Sequence, residues 1–246
     1  LVLNCIDGVI AISENTSKLL VKRVLKEGGK CKAGCFDRAC NGRVHTIYGG
    51  VSLEQFVPNY KFKGKNILTA CRLVKRKGTD ILIKAVYEVL KKHRVRLFII
   101  GDGPERKNLE AMVASLGINE HVIFCGEKSF SETCEWYRNC DIFVLPSLTL
   151  QQENEIEGFG IVFIEAMASG KPVIGTNTGG IPSAVRSPWG LLVKPGDHLQ
   201  LAEKINYLIE HPGIAETMGR EGRKAVERIY NWKVLCDRIE RIYTLT

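Results

Sequence analysis

The sequence has no apolar run long enough to cross a bilayer: the longest, such as Leu97–Ile100 and Ile142–Leu145, are the size of single strands. It lacks the Gly-x-x-x-x-Gly-Lys-Ser/Thr loop of P-loop nucleotidases, the Gly-x-Ser-x-Gly turn of α/β hydrolases and the His-Glu-x-x-His helix of zinc proteases. Those three chemistries are set aside. Histidine is scarce, with five residues scattered along 246, so imidazole catalysis is not assembled from them. The basic clusters Lys18–Lys32, Lys61–Lys77 and Lys91–Arg96 carry no aromatic stacking pattern, which argues against nucleic acid as a partner. Internal repeats and low-complexity tracts are absent. There is no initiator Met, and the opening Leu1-Val2-Leu3-Asn4-Cys5 lacks the basic flank of a signal peptide and is followed by Asp7. The chain therefore reads as starting inside a larger protein.

What is present is the composition of a soluble globular protein, 45% hydrophobic and 25% charged. The net charge of +8 favours an anionic partner, whether phosphate, nucleic acid or anionic lipid. Nine cysteines, an odd number in a chain of this size, suggest reduced thiols in the cytoplasm. Cys5, Cys71, Cys125, Cys140 and Cys236 sit among apolar residues and read as inert core thiols. Cys31, Cys35 and Cys40 crowd a polar loop ahead of His45. Four soft ligands there could hold zinc, but the loop lacks the tight Cys-x-x-Cys pair of common structural sites. Free thiols or a local disulfide are the alternative.

From Lys65 to Val193, buried-strand patterns alternate with helical ones. Ile67–Ala70, Leu97–Ile100, Val122–Cys125, Ile142–Leu145, Val173–Gly175 and Leu191–Val193 are the expected strands; Asp80–Lys92, Glu105–Leu116, Ser131–Asn139 and Ile161–Ser169 are the helices between them. Fully apolar strands joined by helices predict a parallel sheet covered on both faces, an α/β doubly wound, Rossmann-like domain. Amphipathic segments His198–Ile209, Ile214–Tyr230 and Lys233–Tyr243 follow, the first two separated by Pro212-Gly213 and the third capped by Asn231. Ahead of the sheet, a strand at Gly8–Ile12, a basic helix from Glu14 to Lys26 and a strand at Val44–Tyr48 form a partial strand-helix-strand that cannot bury both its faces. The expected division is a remnant of a preceding domain over 1–57, the sheet domain over 58–230 entered through a linker at 57–66, and a C-terminal helix over 231–246. Lys18, Lys22, Arg23 and Lys26 give the first helix a basic face, which either is solvated or makes peripheral contact with a membrane.

Open α/β sheets bind ligands beyond the carboxyl ends of their strands. Three segments fall there. Arg72-Leu73-Val74-Lys75-Arg76-Lys77-Gly78 follows a strand and precedes a helix, and its cations beside free N–H groups suit phosphates. Taken alone, a solvated basic turn is the better explanation of it. In Glu157-Gly158-Phe159-Gly160-Ile161-Val162-Phe163-Ile164-Glu165, two carboxylates flank a glycine-rich turn at a helix start. Glu165 could accept two hydrogen bonds from vicinal hydroxyls or merely partner the helix dipole. Gly175-Thr176-Asn177-Thr178-Gly179-Gly180-Ile181-Pro182 could bring N–H groups against a phosphate. Gly101-Asp102-Gly103-Pro104-Glu105-Arg106 begins like a dinucleotide fingerprint, but Arg106 stands in place of the third glycine and weakens a dehydrogenase reading.

With Arg72 and Lys77 followed by Glu157-x7-Glu165, the chain resembles the retaining glycosyltransferases of the GT-B fold known as family 4, or glycosyl transferases group 1. Leu145-Pro146-Ser147, Glu165-Ala166-Met167-Ala168-Ser169-Gly170-Lys171-Pro172-Val173, Gly179-Gly180-Ile181-Pro182 and Gly190-Leu191-Leu192-Val193 extend the likeness over about residues 60–230, the domain binding the sugar nucleotide. The resemblance implies hexosyl transfer with retention from a UDP-, GDP- or ADP-sugar and no metal or other cofactor. Arg72 and Lys77 would neutralise the diphosphate leaving group, Glu165 would hold the ribose hydroxyls and Glu157 the transferred sugar. Backbone at Gly158, Phe159, Gly160 and Ile161 would hold sugar or phosphate.

The chain departs from the family pattern at several places. Ser183 stands where Glu is common, which would loosen the Gly179-Gly180 loop or change donor contacts. Gly49 and Ser52 replace a frequent Asn and Asp, and the cysteine loop reads as an insertion. The loop Leu148–Ile156 is long, as in some mannosyltransferase-like members, and hints at GDP-mannose. The family's acceptor-binding domain, with its glycine-rich loop and histidine, is not in this sequence. The chain is therefore expected to bind donor but to transfer weakly or not at all without the missing domain or a partner chain. The alternatives are a non-catalytic donor-binding subunit of a two-chain transferase and a GT-B sugar-nucleotide epimerase.

Overall fold

The computed structural model describes residues 9–26, 44–149 and 156–245. Cys5, the loop holding Cys31, Cys35 and Cys40, the side chains of Arg23 and Lys26, and most of the long loop after Leu148 lie outside what is described. The chain opens with β1 (Val9–Ala11), α1 (Glu14–Lys26) and β2 (Val44–Thr46), and the two strands pair in parallel, Ile10 opposite His45.

The apolar runs that follow build one parallel sheet. Its strands are β3 (Asn66–Ala70), β4 (Arg96–Ile100), β5 (Val122–Gly126), β6 (Ile142–Leu145), β7 (Val173–Thr176) and β8 (Gly190–Val193), in the order β5-β4-β3-β6-β7-β8. The helices between are α2 (Thr79–Leu90), α3 (Arg106–Ser115), α4 (Phe130–Asn139), α5 (Ile161–Ala168) and α6 (Ile181–Ala184), and α7 (His198–Glu210), α8 (Pro212–Ala225) and α9 (Trp232–Leu245) close the chain. Adjacent residues of one strand point to opposite faces, and both faces are covered. Leu97 and Ile99 of β4 and Ile142 and Val144 of β6 join a core with α2, α3 and α7. Ile100, Phe143 and Leu145 join the opposite core with α5, α8 and Tyr137 of α4. That two-sided burial is why the strands read as unbroken apolar runs rather than alternating ones.

Local chemistry sets the helix ends. Ser129 and Glu132 form a complete capping box ahead of α4, and Asp197 caps α7 by accepting from the Gln200 N–H at 2.9 Å. Pro212 is not a separator but the first residue of α8, where its missing N–H costs nothing. The helix expected to run unbroken to Tyr230 changes winding after Ala225, and Val226–Tyr230 is a π-helical turn. The Tyr230 carbonyl accepts from the Val51 N–H at 2.9 Å, and its hydroxyl donates to the Ser183 carbonyl at 2.6 Å, so tertiary bonds replace the regular ladder. The one-turn α6 was not expected from the sequence. Cys140 is buried and its thiol is pushed up to about 12 by that burial; Cys71 and Cys125 are half-buried with thiols also raised by burial, in keeping with inert thiols. Cys236 corrects the expectation: it is exposed, one residue off the stripe that buries Leu235. Among the described residues, no helix is long and apolar enough to cross a membrane.

The segment entering the sheet is held tightly. The buried Asp141 carboxylate accepts the backbone N–H groups of Lys63, Lys65 and Asn66 at 2.7, 3.0 and 2.9 Å, and the buried Lys171 ammonium donates to the Asn59 carbonyl at 2.6 Å. Asp141→Ala leaves three N–H groups without their acceptor and is expected to lower the unfolding free energy by about 3 kcal/mol. Asp141→Asn, keeping one acceptor oxygen, is expected to lose about half as much. Urea denaturation of the two variants checks both.

Candidate functional site

The strand order reverses between β3 and β6, and the loops leaving those strands diverge there. Two glycines bring the surrounding turns close. Gly78 has φ +65°, and a Cβ on it would lie 2.2 Å from the Pro146 carbonyl oxygen, so the turn after β3 meets the turn after β6 backbone to backbone. A Cβ on Gly103 would lie 2.4 Å from the Leu73 carbonyl oxygen, and the Leu73 N–H donates to Asp102 at 2.9 Å, joining the turns after β3 and β4. Lys75–Lys77 form a single tight turn between these contacts, and the Leu148 N–H donates to the Arg76 carbonyl at 2.7 Å.

In this crevice the Lys77 ammonium donates to Glu157 Oε2 at 2.5 Å, and the Arg76 guanidinium donates to the same oxygen at 3.0 Å. Ser147 Oγ adds a longer contact at 3.4 Å. The three charged side chains are mostly buried, at 12% exposure for Glu157, 15% for Lys77 and 21% for Arg76. Burial by itself raises the Glu157 pKa, but the two cations outweigh it and hold the carboxyl below its ordinary range. Arg76 is a member of this cluster that the motifs do not single out. It lies beside Lys77 in the same basic turn, so the signal is present in the sequence but does not distinguish one cation from another.

Arg72 is placed apart. It is exposed at the end of β3 and lines a cavity of about 440 Å³ with Gly101, Asp102, Gly103 and Glu127. It makes no ion pair among the described residues. Asp102 is already engaged, accepting from the Gly103 N–H at 2.7 Å and from Arg106 at 2.8 Å.

The glycine-rich turn runs from Glu157 into α5. Gly160 takes φ +85° immediately before the helix, leaving the first N–H groups of α5 without a preceding helical turn to accept them. Glu165 lies one turn further in, half-buried, and Tyr137 of α4 donates its hydroxyl to Glu165 Oε2 at 2.8 Å. Burial raises the Glu165 pKa, and the Tyr137 bond only partly offsets that. Glu157 and Glu165 thus have opposite shifts: one is held charged by cations, the other is buried without one.

The Gly179-Gly180 turn closes against this one. The Gly180 N–H donates to the Glu157 carbonyl at 2.7 Å, and a Cβ on Gly180 would lie 1.8 Å from the Gly158 carbonyl oxygen. Ser183 does not leave the turn loose. Its hydroxyl bonds the Glu14 carboxylate of α1 and accepts from the Glu14 N–H at 3.3 Å, while Tyr48 donates to the other Glu14 oxygen. Burial opposes the charge on Glu14, and these bonds outweigh it, lowering its pKa. Tyr48 stacks on Phe159 at 5.7 Å, and Tyr230 packs against both, which fixes Phe159 between β2 and the π-helical turn. The turn bearing Gly158–Ile161 is therefore clamped from the β1–α1–β2 side. Among the described residues, no group of three or more His, Cys, Asp or Glu side chains is arranged to hold a metal ion.

Known proteins resemble this chain in sequence and in fold. The profile of the family described as "Glycosyl transferases group 1" matches residues 53–225. A GDP-mannose-dependent monoacylated alpha-(1-6)-phosphatidylinositol monomannoside mannosyltransferase of Corynebacterium glutamicum is 31% identical, over 78% of this chain and 54% of its own length. The capsular polysaccharide biosynthesis glycosyltransferase CapM of Staphylococcus aureus is 31% identical, over 97% of this chain and 62% of its own. Among solved structures, sucrose-phosphate synthase from Thermosynechococcus elongatus superposes with a TM-score of 0.78 at 26% identity, covering 97% of this chain and 58% of that one. Anabaena HepE in complex with UDP superposes at 0.81 with 23% identity, covering 98% and 64%. The chain thus spans a little over half the length of these relatives. Its six parallel strands in Rossmann order, and a family profile covering most of the sequence, lead to one conclusion: the chain belongs to glycosyl transferases group 1, the GT-B fold family 4.

Proposed function

We propose that this chain is the donor-binding half of a retaining glycosyltransferase, which moves a hexosyl group from a nucleoside-diphosphate sugar to an acceptor. The carrying observation is the Lys77–Arg76–Glu157 cluster at the crevice where the strand order reverses, beside a helix start with free N–H groups. The named activities of the relatives and the nucleotide in the HepE complex support the same reading. Residues 58–230 form the donor domain in this proposal, 1–57 belong to the acceptor-side domain, and 231–246 are the helix that returns to it.

In the proposed reaction the bond between the anomeric carbon and the diphosphate oxygen breaks while the acceptor hydroxyl attacks from the same face. The acceptor proton passes to the departing phosphate, giving a nucleoside diphosphate and a glycoside of retained configuration. Negative charge grows on the leaving diphosphate, and Lys77 and Arg72 answer it. Glu157 has two tasks. Before donor binds, it holds Lys77 extended into the crevice, so that little side-chain entropy remains to be lost on binding. Once phosphate takes the lysine, the carboxylate is available to the sugar hydroxyls. Glu165 accepts the two ribose hydroxyls, and the N–H groups of Phe159, Gly160 and Ile161 face sugar or phosphate.

Lys77→Ala is expected to weaken nucleoside-diphosphate binding by about 10- to 100-fold, the worth of one charge-assisted hydrogen bond. Arg72→Ala should act in the same direction. A saturating diphosphate at a hundred times its Kd stabilises a protein by about 2.7 kcal/mol, a melting shift of several degrees that both variants should diminish. No shift in the parent chain with UDP, GDP or ADP contradicts the proposal.

Glu165→Gln separates binding from stability. The raised pKa of Glu165 means its neutral form suits the fold: its contribution is whole at low pH and is lost as pH rises through the folded pKa. Glutamine keeps an acceptor for Tyr137 without the buried charge. The variant should melt higher at pH 7, by about 2–4 °C if the gain is near 1 kcal/mol, and lose that advantage below about pH 4. Its nucleotide affinity should fall because one ribose acceptor is gone. Melting curves at pH 4 and 7, with and without nucleotide, test both halves.

A further inference from the structure

The chain's own geometry indicates which base the donor carries. This inference rests on the donor-binding reading above and deepens it. Tyr137, the partner of Glu165, sits on α4, and the loop that leads into α4 is the one that leaves β5 and carries Glu127. A nucleotide whose diphosphate lies between β3 and β6, and whose ribose meets Glu165 against α4, therefore extends its base toward that loop. Neighbouring strands lie about 4.8 Å apart, so the two steps from β3 to β5 are within the span of a nucleoside.

The loop is built to present one side chain there. The β4–β5 ladder slips at its end: Ile99 pairs with Phe124 but Ile100 pairs with Gly126, so Cys125 is an extra residue in β5. Gly126 follows with φ +68°, and its carbonyl is held by the Gly101 N–H at 2.8 Å. A bulge of this kind bends the strand and re-aims what comes next, which is Glu127 on the wall of the cavity shared with Arg72. Two carboxylates line that cavity. Asp102 is taken by Gly103 and Arg106. Glu127 has no hydrogen bond or ion pair among the described residues, and its two oxygens are free to accept.

We propose that Glu127 makes this site selective for guanine nucleotides. A carboxylate offers two parallel acceptors and no donor. The guanine N1–H and exocyclic N2–H are two parallel donors and match it. Uracil presents a single N3–H between two carbonyl oxygens, which a carboxylate meets with one bond and two repulsions. Adenine offers one amine beside an acceptor nitrogen. Guanine is thus the one base of the three that satisfies both oxygens, and the donor class is a GDP-sugar.

Titration calorimetry of the full chain with GDP, UDP, ADP and IDP tests this, beside Glu127→Gln with its melting temperature as a check on folding. IDP lacks the N2 amine and removes one of the two donors. In the parent chain GDP should bind about tenfold or more tighter than UDP or ADP, the discrimination of one bidentate pair, with IDP between. In Glu127→Gln the ratio of GDP to UDP affinity should collapse toward one, and so should that of GDP to IDP. UDP or ADP equalling GDP in the parent chain, or a GDP preference surviving in the variant, overturns the assignment while leaving the donor site standing. Failure of all four nucleotides to bind overturns the donor-binding reading itself and this inference with it.

Discussion

Every strand of the main sheet runs the same way, so all the connecting turns that can touch a ligand emerge at one edge. A parallel sheet whose order reverses must separate the neighbouring turns at the point of reversal, and here that point lies between β3 and β6. The gap is narrow because Gly78 allows backbone contact with Pro146. Within it, one carboxylate meets two cations at 2.5 and 3.0 Å. Such a cluster is poor evidence of stability, since buried charges lose hydration that their mutual attraction only partly returns. In the proposed donor-binding reading, the cluster serves an anionic ligand that exchanges for the carboxylate.

The β1–α1–β2 unit acts on this crevice through the glycine turns. Glu14 holds Ser183, Tyr48 stacks on Phe159, and the carbonyl of Tyr230 takes the Val51 N–H. The turn that starts α5 is thus bordered on one side by the sheet and on the other by residues from the beginning of the chain. The π-helical turn at Val226–Tyr230 is the local consequence of the same coupling, because the regular helical ladder gives up bonds that the β2 side and α6 receive.

The fold was legible because burial on both faces of a parallel sheet leaves an unmistakable trace: six short apolar runs, each found as a strand within a residue or two of its expected ends. The glycine turns were legible as well, since only a residue without a side chain suits φ +85° at Gly160. What escaped the sequence depended on contacts between distant segments. The break in the helix before Tyr230 comes from Val51, far away in sequence. Glu14 as the partner of Ser183 joins residues 169 apart. The choice of Arg76 over Arg72 beside Glu157 is set by the tight turn at Lys75–Lys77, which composition alone cannot orient. Cys236 departs from the core pattern because it lies one residue past the stripe of α9 that buries Leu235, next to Asp237 and Arg238.

In the proposed reaction, Glu157 keeps Lys77 in place for a diphosphate and yields it when the donor arrives. A crystal structure of the chain with a bound nucleoside diphosphate tests it most directly. Phosphate oxygens are expected within hydrogen-bonding distance of the Lys77 ammonium and the Arg72 guanidinium, with Lys77 drawn away from Glu157. A nucleotide bound elsewhere, with the Lys77–Glu157 contact intact, would contradict it.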